Sequence, residues 1–178
     1  MFNKKKLIII ILFGLFLFIV FLKGLDKSNI YSTENISNNI ETDLTGKMLY
    51  ENKEVSLGEL INKNNFSLIN IWASWCLPCR NEHSYLINLN KNNKINIIGI
   101  NYKDKEINAK NFLKDLGNPY SKILVDSDGT KSIELGAYGV PETYLVNNKT
   151  KKIIKKYIGP IDDIRFKEII KIVNNEKI

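Results

Sequence analysis

Sixteen consecutive positions near the start, residues 7–22 (LIIIILFGLFLFIVFL), carry no charged or polar side chain. As a helix the run spans roughly 24 Å, short of a hydrocarbon core of ~30 Å. Carried on to Leu25, with the Lys23 amine reaching out to the headgroups, it spans roughly 28 Å. Lys4, Lys5 and Lys6 precede it, which under the positive-inside rule leaves the N-terminus in the cytoplasm. The run is longer than a signal-peptide core of about 7–15 residues, and no small-x-small cleavage site follows it. Residues 1–25 are therefore expected as an uncleaved, single-pass membrane anchor. Residues 26–45 are polar and aperiodic, the pattern of a flexible linker. One domain is expected over residues 46–178, long enough to bury a core without staples.

Inside that domain the hydrophobic period switches between strand and helix. Phe66–Ala73 (FSLINIWA) and Ile95–Tyr102 (INIIGINY) are apolar and β-branched, so both predict buried strands. Between them, Cys76 to about Asn90 predicts a helix with Tyr85, Leu86 and Leu89 on one face. Ile107–Leu116 predicts an amphipathic helix ended by Gly117, with Pro119 beyond it. Lys122–Asp126 predicts a strand leading into the Asp128-Gly129 turn. Thr143–Asn147 and Ile153–Ile158 predict a hairpin around Asn148-Lys149-Thr150. Lys47–Tyr50 suggests a short strand and Ser56–Ile61 a short helix. Asp162–Asn174 predicts a closing helix with Ile164, Ile169, Ile170 and Val173 as its apolar side. A βαβ start, a hairpin and a final helix imply an α/β fold with a mixed central sheet flanked by helices.

Composition narrows the function. Hydrophobic residues make up 44% and charged residues 25%, a globular and not a disordered balance. Two cysteines exclude a disulfide scaffold and a four-cysteine zinc or iron–sulfur site, and one histidine excludes a site needing two. The net charge is +7, but Lys4, Lys5, Lys6, Lys23 and Lys27 against Asp26 place four of those charges in the first thirty residues. The domain itself is only mildly basic. Its densest basic stretch, Lys149, Lys151, Lys152, Lys155 and Lys156, lies between two strands and reads as a solvated hairpin rather than a nucleic-acid surface.

The candidate chemistry is Trp75-Cys76-Leu77-Pro78-Cys79, which follows a buried strand and opens a helix. A helix N-terminus presents unpaired N–H groups and a partial positive charge, and both stabilise a thiolate. Cys76 is then the nucleophile that attacks a substrate disulfide, and Cys79, one turn in, resolves the mixed disulfide. Pro78 sits in the first turn, where a missing N–H costs nothing. Two other readings stand beside this one. A static disulfide over this spacing would constrain very little chain. Cys76, Cys79 and His83 could together hold a soft metal such as Cu(I).

The strand-WxxWCxPC-helix block resembles thioredoxin-fold proteins, and four stretches narrow the likeness. They are Asn70–Cys76 with Arg80-Asn81-Glu82-His83, Gly99-Ile100-Asn101-Tyr102-Lys103-Asp104, Leu116-Gly117-Asn118-Pro119-Tyr120, and Leu135-Gly136-Ala137-Tyr138-Gly139-Val140-Pro141-Glu142-Thr143. Together they are similar to the membrane-anchored DsbE/CcmG thioredoxins of cytochrome c maturation. The resemblance implies a cis bond before Pro141, turning the Val140 backbone toward the cysteines to pair with an incoming peptide. Trp75 and Tyr138 would belong to the same docking area. It also places Glu82 and Glu142 near the active site. Asn70 stands where general thioredoxins carry a buried Asp, so one of the two glutamates is expected to manage the proton of Cys79.

The implied role is reductive: keeping the haem-attachment cysteines of apocytochrome c, or of a cytochrome c maturation thiol protein, reduced in the periplasm. Electrons would come from a DsbD/CcdA-type membrane donor. The domain would sit on the periplasmic side of the inner membrane, needing no cofactor and no metal. The competing expectations are a general extracytoplasmic TlpA/ResA-like reductant and a copper chaperone built on Cys76, Cys79 and His83.

Overall fold

The structure is a computed structural model in which residues 4–26, 39–61 and 64–175 are described. It falls into two units, residues 1–35 and 36–178. In the first, α1 (Lys4–Asp26) is a helix of 23 residues. Its described apolar side chains, Ile8, Phe13, Phe16 and Phe21 among them, are exposed around the whole helix. Among the described residues no helix is long and apolar enough to cross a membrane. The side chains of Leu7, Ile9 and Leu22, which complete the apolar run in the sequence, are not among those described. The helix expected of the anchor is present, and its spanning of a membrane is not carried by the described structure. Residues 27–38, most of the expected linker, lie outside the described residues.

The second unit opens with an antiparallel pair, β1 (Thr45–Lys47) and β2 (Glu54–Ser56), with Gly46 opposite Val55. A single turn, α2 (Leu57–Leu60), follows, capped by the Ser56 hydroxyl accepting from Glu59 N at 3.2 Å. Then come β3 (Phe66–Trp72), α3 (Leu77–Leu89), β4 (Ile95–Tyr102), α4 (Glu106–Leu116), β5 (Lys122–Asp126), α5 (Thr130–Glu134), β6 (Glu142–Asn147), β7 (Lys152–Ile158) and α6 (Asp163–Asn175). The main sheet has the order β5-β4-β3-β6-β7. Strands β3, β4 and β5 run parallel, while β6 is antiparallel to β3 and β7 to β6.

β3 is buried at every position, as its unbroken apolar run requires of a strand covered on both faces. Its side chains alternate between two cores. Phe66, Leu68 and Trp72 pack with α3, α4 and α6 through Leu86, Phe112 and Ile169. Ile69 and Ile71 pack on the other face with Leu57, Ile61 and Tyr144. Both parallel connections, β3-α3-β4 and β4-α4-β5, step the same way across the sheet. Right-handed crossovers then put α3 and α4 on one face.

Several boundaries differ from expectation. The first strand is residues 45–47, and Tyr50 is exposed. Ile40 and Leu44, in the stretch expected as linker, are buried in the second core. β2 and α5 are short elements that the hydrophobic pattern does not mark. α5 exists because the Asp126 carboxylate accepts from Lys131 N, Ser132 N and the Ser132 hydroxyl. Ile164, expected on the apolar side of α6, is 76% exposed.

Candidate active site

β3 ends at Trp72, and four residues later Cys76 forms the N-cap of α3. Cys76 Sγ accepts from the backbone N–H of Cys79 at 3.1 Å, the contact a thiolate at this position would use. Cys76 and Cys79 are joined by a disulfide, with Cα atoms 5.3 Å apart. Pro78 falls in the first turn, as expected. Both cysteines are buried, and Trp75 and Leu77 beside them are exposed.

The turn into Cys76 is held from the loop after β4. Asp104 accepts from Ser74 N at 2.6 Å and from the Ser74 hydroxyl at 2.8 Å. Asn101 Nδ2 and the Lys105 amide donate to the same carboxylate, at 3.1 and 2.8 Å. The Trp75 indole donates to the carbonyl of Lys103 at 3.0 Å, and Lys103 adopts φ 44° to present it. Asp104 closes the Gly99–Asp104 stretch of the sequence. Its signal, an acid two residues past a buried strand, is faint without the fold.

The Val140–Pro141 bond is cis. Glu142 pairs with Ile71, so Pro141 lies at the carboxyl end of β3, the end that runs on to Cys76. Val140 packs against the core cluster that contains both cysteines. Tyr138 is exposed in the same loop.

The two candidate acids are separated by the sheet. Thr143 faces the α3 side, where its hydroxyl accepts from Asn70 at 2.9 Å, so Glu142, its neighbour on the strand, faces the other side. There Glu142 Oε1 accepts from the amides of Tyr138 and Gly139 at 2.8 and 3.1 Å. Its Oε2 receives no aligned hydrogen bond and instead pairs with the Lys156 charge at 2.7 Å. Glu142 thus braces the loop before the cis bond and is turned away from Cys79.

Glu82 is on the cysteine side, one helical turn after Cys79 and fully buried. Its carboxyl accepts from Asn70 Nδ2 at 2.9 Å and from Ile161 N at 2.7 Å. The Asn70 carbonyl is taken by the Tyr120 hydroxyl at 2.8 Å, which fixes the amide with its N–H groups toward Glu82 and Thr143. Burial pushes the Glu82 carboxyl up to about 7, against the lowering pull of the Ile161 amide, Asn70 and Arg165. Burial likewise pushes the Tyr120 phenol well up, with Glu82 adding to it.

His83 does not turn toward the cysteines. It is buried, its Nε2 is 2.8 Å from the Gly117 carbonyl oxygen, and its ring meets Phe112 edge-on. Burial lowers its pKa. Among the described residues no group of three or more His, Cys, Asp or Glu side chains is placed to hold a metal ion. Trp72 is core, stacked on Tyr120.

A match to the Redoxin family covers residues 38–171. The thiol:disulfide interchange protein DsbE of Haemophilus influenzae is 38% identical over 168 residues, 90% of each chain. The chain belongs to the redoxin family, with the DsbE proteins. This redoxin is also 48% identical over 106 residues to the thiol:disulfide interchange protein CycY of Rhizobium leguminosarum, a match spanning 60% of this chain and 56% of that one. Its fold is similar to that of a DsbF homologue from Corynebacterium diphtheriae, with a TM-score of 0.63 and 24% identity over 75% of this chain and 85% of that one. It is a thioredoxin-like thiol:disulfide oxidoreductase.

Proposed function

We propose that this redoxin is a reductant of cytochrome c maturation. It keeps the haem-attachment cysteines of apocytochrome c, or of the thiol protein that handles it, reduced. The observation that carries the reading is a buried acid, Glu82, one turn behind Cys79 in a helix that Cys76 caps. A helix N-terminus alone stabilises the thiolate, and a dithiol so stabilised is an oxidant. A carboxylate behind the pair opposes that effect, favours the disulfide and makes the dithiol a better electron donor.

The reaction runs in two displacements. The Cys76 thiolate attacks one sulfur of the substrate disulfide, forming a mixed disulfide and expelling the other sulfur as a thiolate. Cys79 gives its proton to Glu82 and attacks Cys76 Sγ. The mixed disulfide breaks, the second substrate sulfur leaves, and both substrate thiolates take up protons. Two electrons have passed to the substrate, and the Cys76–Cys79 disulfide of this structure is the end state. Val140, beside the cis bond, offers its backbone as a strand edge to the substrate chain, with Trp75 and Tyr138 as exposed flanking surfaces. The apolar surface exposed around α1, with Lys4, Lys5 and Lys6 in its first turn, supports an inner-membrane anchor with a periplasmic catalytic domain. A DsbD/CcdA-type membrane protein would return the electrons.

The test is capture. The Cys79→Ala chain, mixed with a peptide carrying a Cys-x-x-Cys-His disulfide, should form a covalent adduct through Cys76. Reduced wild-type protein that leaves the peptide oxidised would end the reading.

A further inference from the structure

Lysine crowds residues 149–156, and the strand alternation of β7 turns one of them inward. Lys156, expected in a solvated hairpin, is 6% exposed. It lies across from Tyr144 in the β6–β7 register, on the sheet face away from α3. Its ammonium donates to the carbonyl of Gly136 at 2.8 Å and pairs with Glu142 at 2.7 Å. It also sits over the rings of Tyr138 and Tyr144, at 4.7 and 5.2 Å from their centroids. These contacts reach Gly136 and Tyr138 in the loop before the cis bond, and Glu142, the first residue of β6 just after it. Glu142 adds the amides of Tyr138 and Gly139 to the same grip. None of the four Lys156 contacts is to a cysteine.

We propose that Lys156 is a positioning residue for polypeptide substrates: with Glu142 it sets the loop of residues 136–141 so that Val140 presents its backbone beside Cys76. The inference rests on the reading that substrate chains dock at Val140. A small disulfide needs only the Cys76 sulfur, whereas a polypeptide needs the sulfur and the loop edge together. Lys156 therefore governs the choice between them.

The measurement uses the reduced full-length chain in detergent and two probes, a peptide with a Cys-x-x-Cys-His disulfide and oxidised glutathione. Lys156→Met should lower the ratio of peptide rate to glutathione rate about tenfold, because loss of a held geometry costs rate steeply. The loss should fall mainly on KM for the peptide. Adding Glu142→Gln should cause no further fall. Should the single variant fail to fold, the double variant, which leaves no unpaired buried charge, is read in the same way. An unchanged ratio in a folded variant overturns the role of Lys156. A wild-type chain that does not prefer the peptide to glutathione overturns the docking reading itself, and the inference with it.

Discussion

Glu82 stands in the sequence between Asn81 and His83 with only its spacing from Cys79 to mark it. What sets it apart is full burial beside Asn70, Tyr120 and Ile161. Those partners come from positions scattered along the chain, and so could not be read from the local pattern. The resemblance named Glu82 and Glu142 together, and the alternation of β6 assigns them to opposite faces. The choice between them depended on a register no single stretch contains. The same holds for Lys156, which looked like one hairpin lysine among five. The Cys76–Cys79 pair was legible because its signal is local, whereas the cis bond before Pro141 came from the resemblance alone. The raised pKa of Glu82 has a measurable sign. The folded chain keeps this proton up to about pH 7, and the unfolded chain loses it near 4.5. Between those values the folded state binds more protons, so stability falls as pH rises, by up to about 3 kcal/mol. In urea unfolding of the oxidised protein from pH 4.5 to 7.5, Glu82→Gln should flatten that decline. A variant with the wild-type slope would place the titration elsewhere.

At the scale of elements, the central sheet was readable because FSLINIW and INIIGINY are buried runs of β-branched residues with turn signals at their ends. Lys122–Asp126 was legible for the same reason. The pieces that escaped are short. β2 has three residues and α5 five, and such elements are marginal without tertiary partners. Asp126 supplies one such partner for α5. The loop after β4 works similarly on the active site: Asp104 fixes Ser74, and through it the turn that aims Cys76. Removing its carboxylate strands Ser74 N and the Ser74 hydroxyl in a half-buried site. Asp104→Ala should destabilise the domain by about 1–3 kcal/mol. It should also slow exchange with glutathione and peptide alike, because both need the aimed sulfur. A loss confined to the peptide would assign Asp104 to docking instead. The buried Lys156–Glu142 pair carries a larger penalty when broken from one side, about 3–5 kcal/mol. The double variant removes both charges and avoids it.

The whole chain reads as a helix of exposed apolar side chains followed by a redox domain. The helix unit exposes its described apolar side chains, and the domain unit has its own two cores. If α1 anchors the chain, the full-length protein should stay with the membrane fraction in high salt and leave it only with detergent. Release by salt alone would reduce α1 to a peripheral contact. The direction of electron flow is the central claim, and the reduction potential of the Cys76–Cys79 pair tests it most directly. The measurement equilibrates the domain against defined thiol buffers and alkylates the free thiols. Glu82 behind the pair predicts a reducing value, between roughly −200 and −270 mV. A value near the strongly oxidising end, roughly −120 mV, would mean that the pair makes disulfides, contradicting the reductive account.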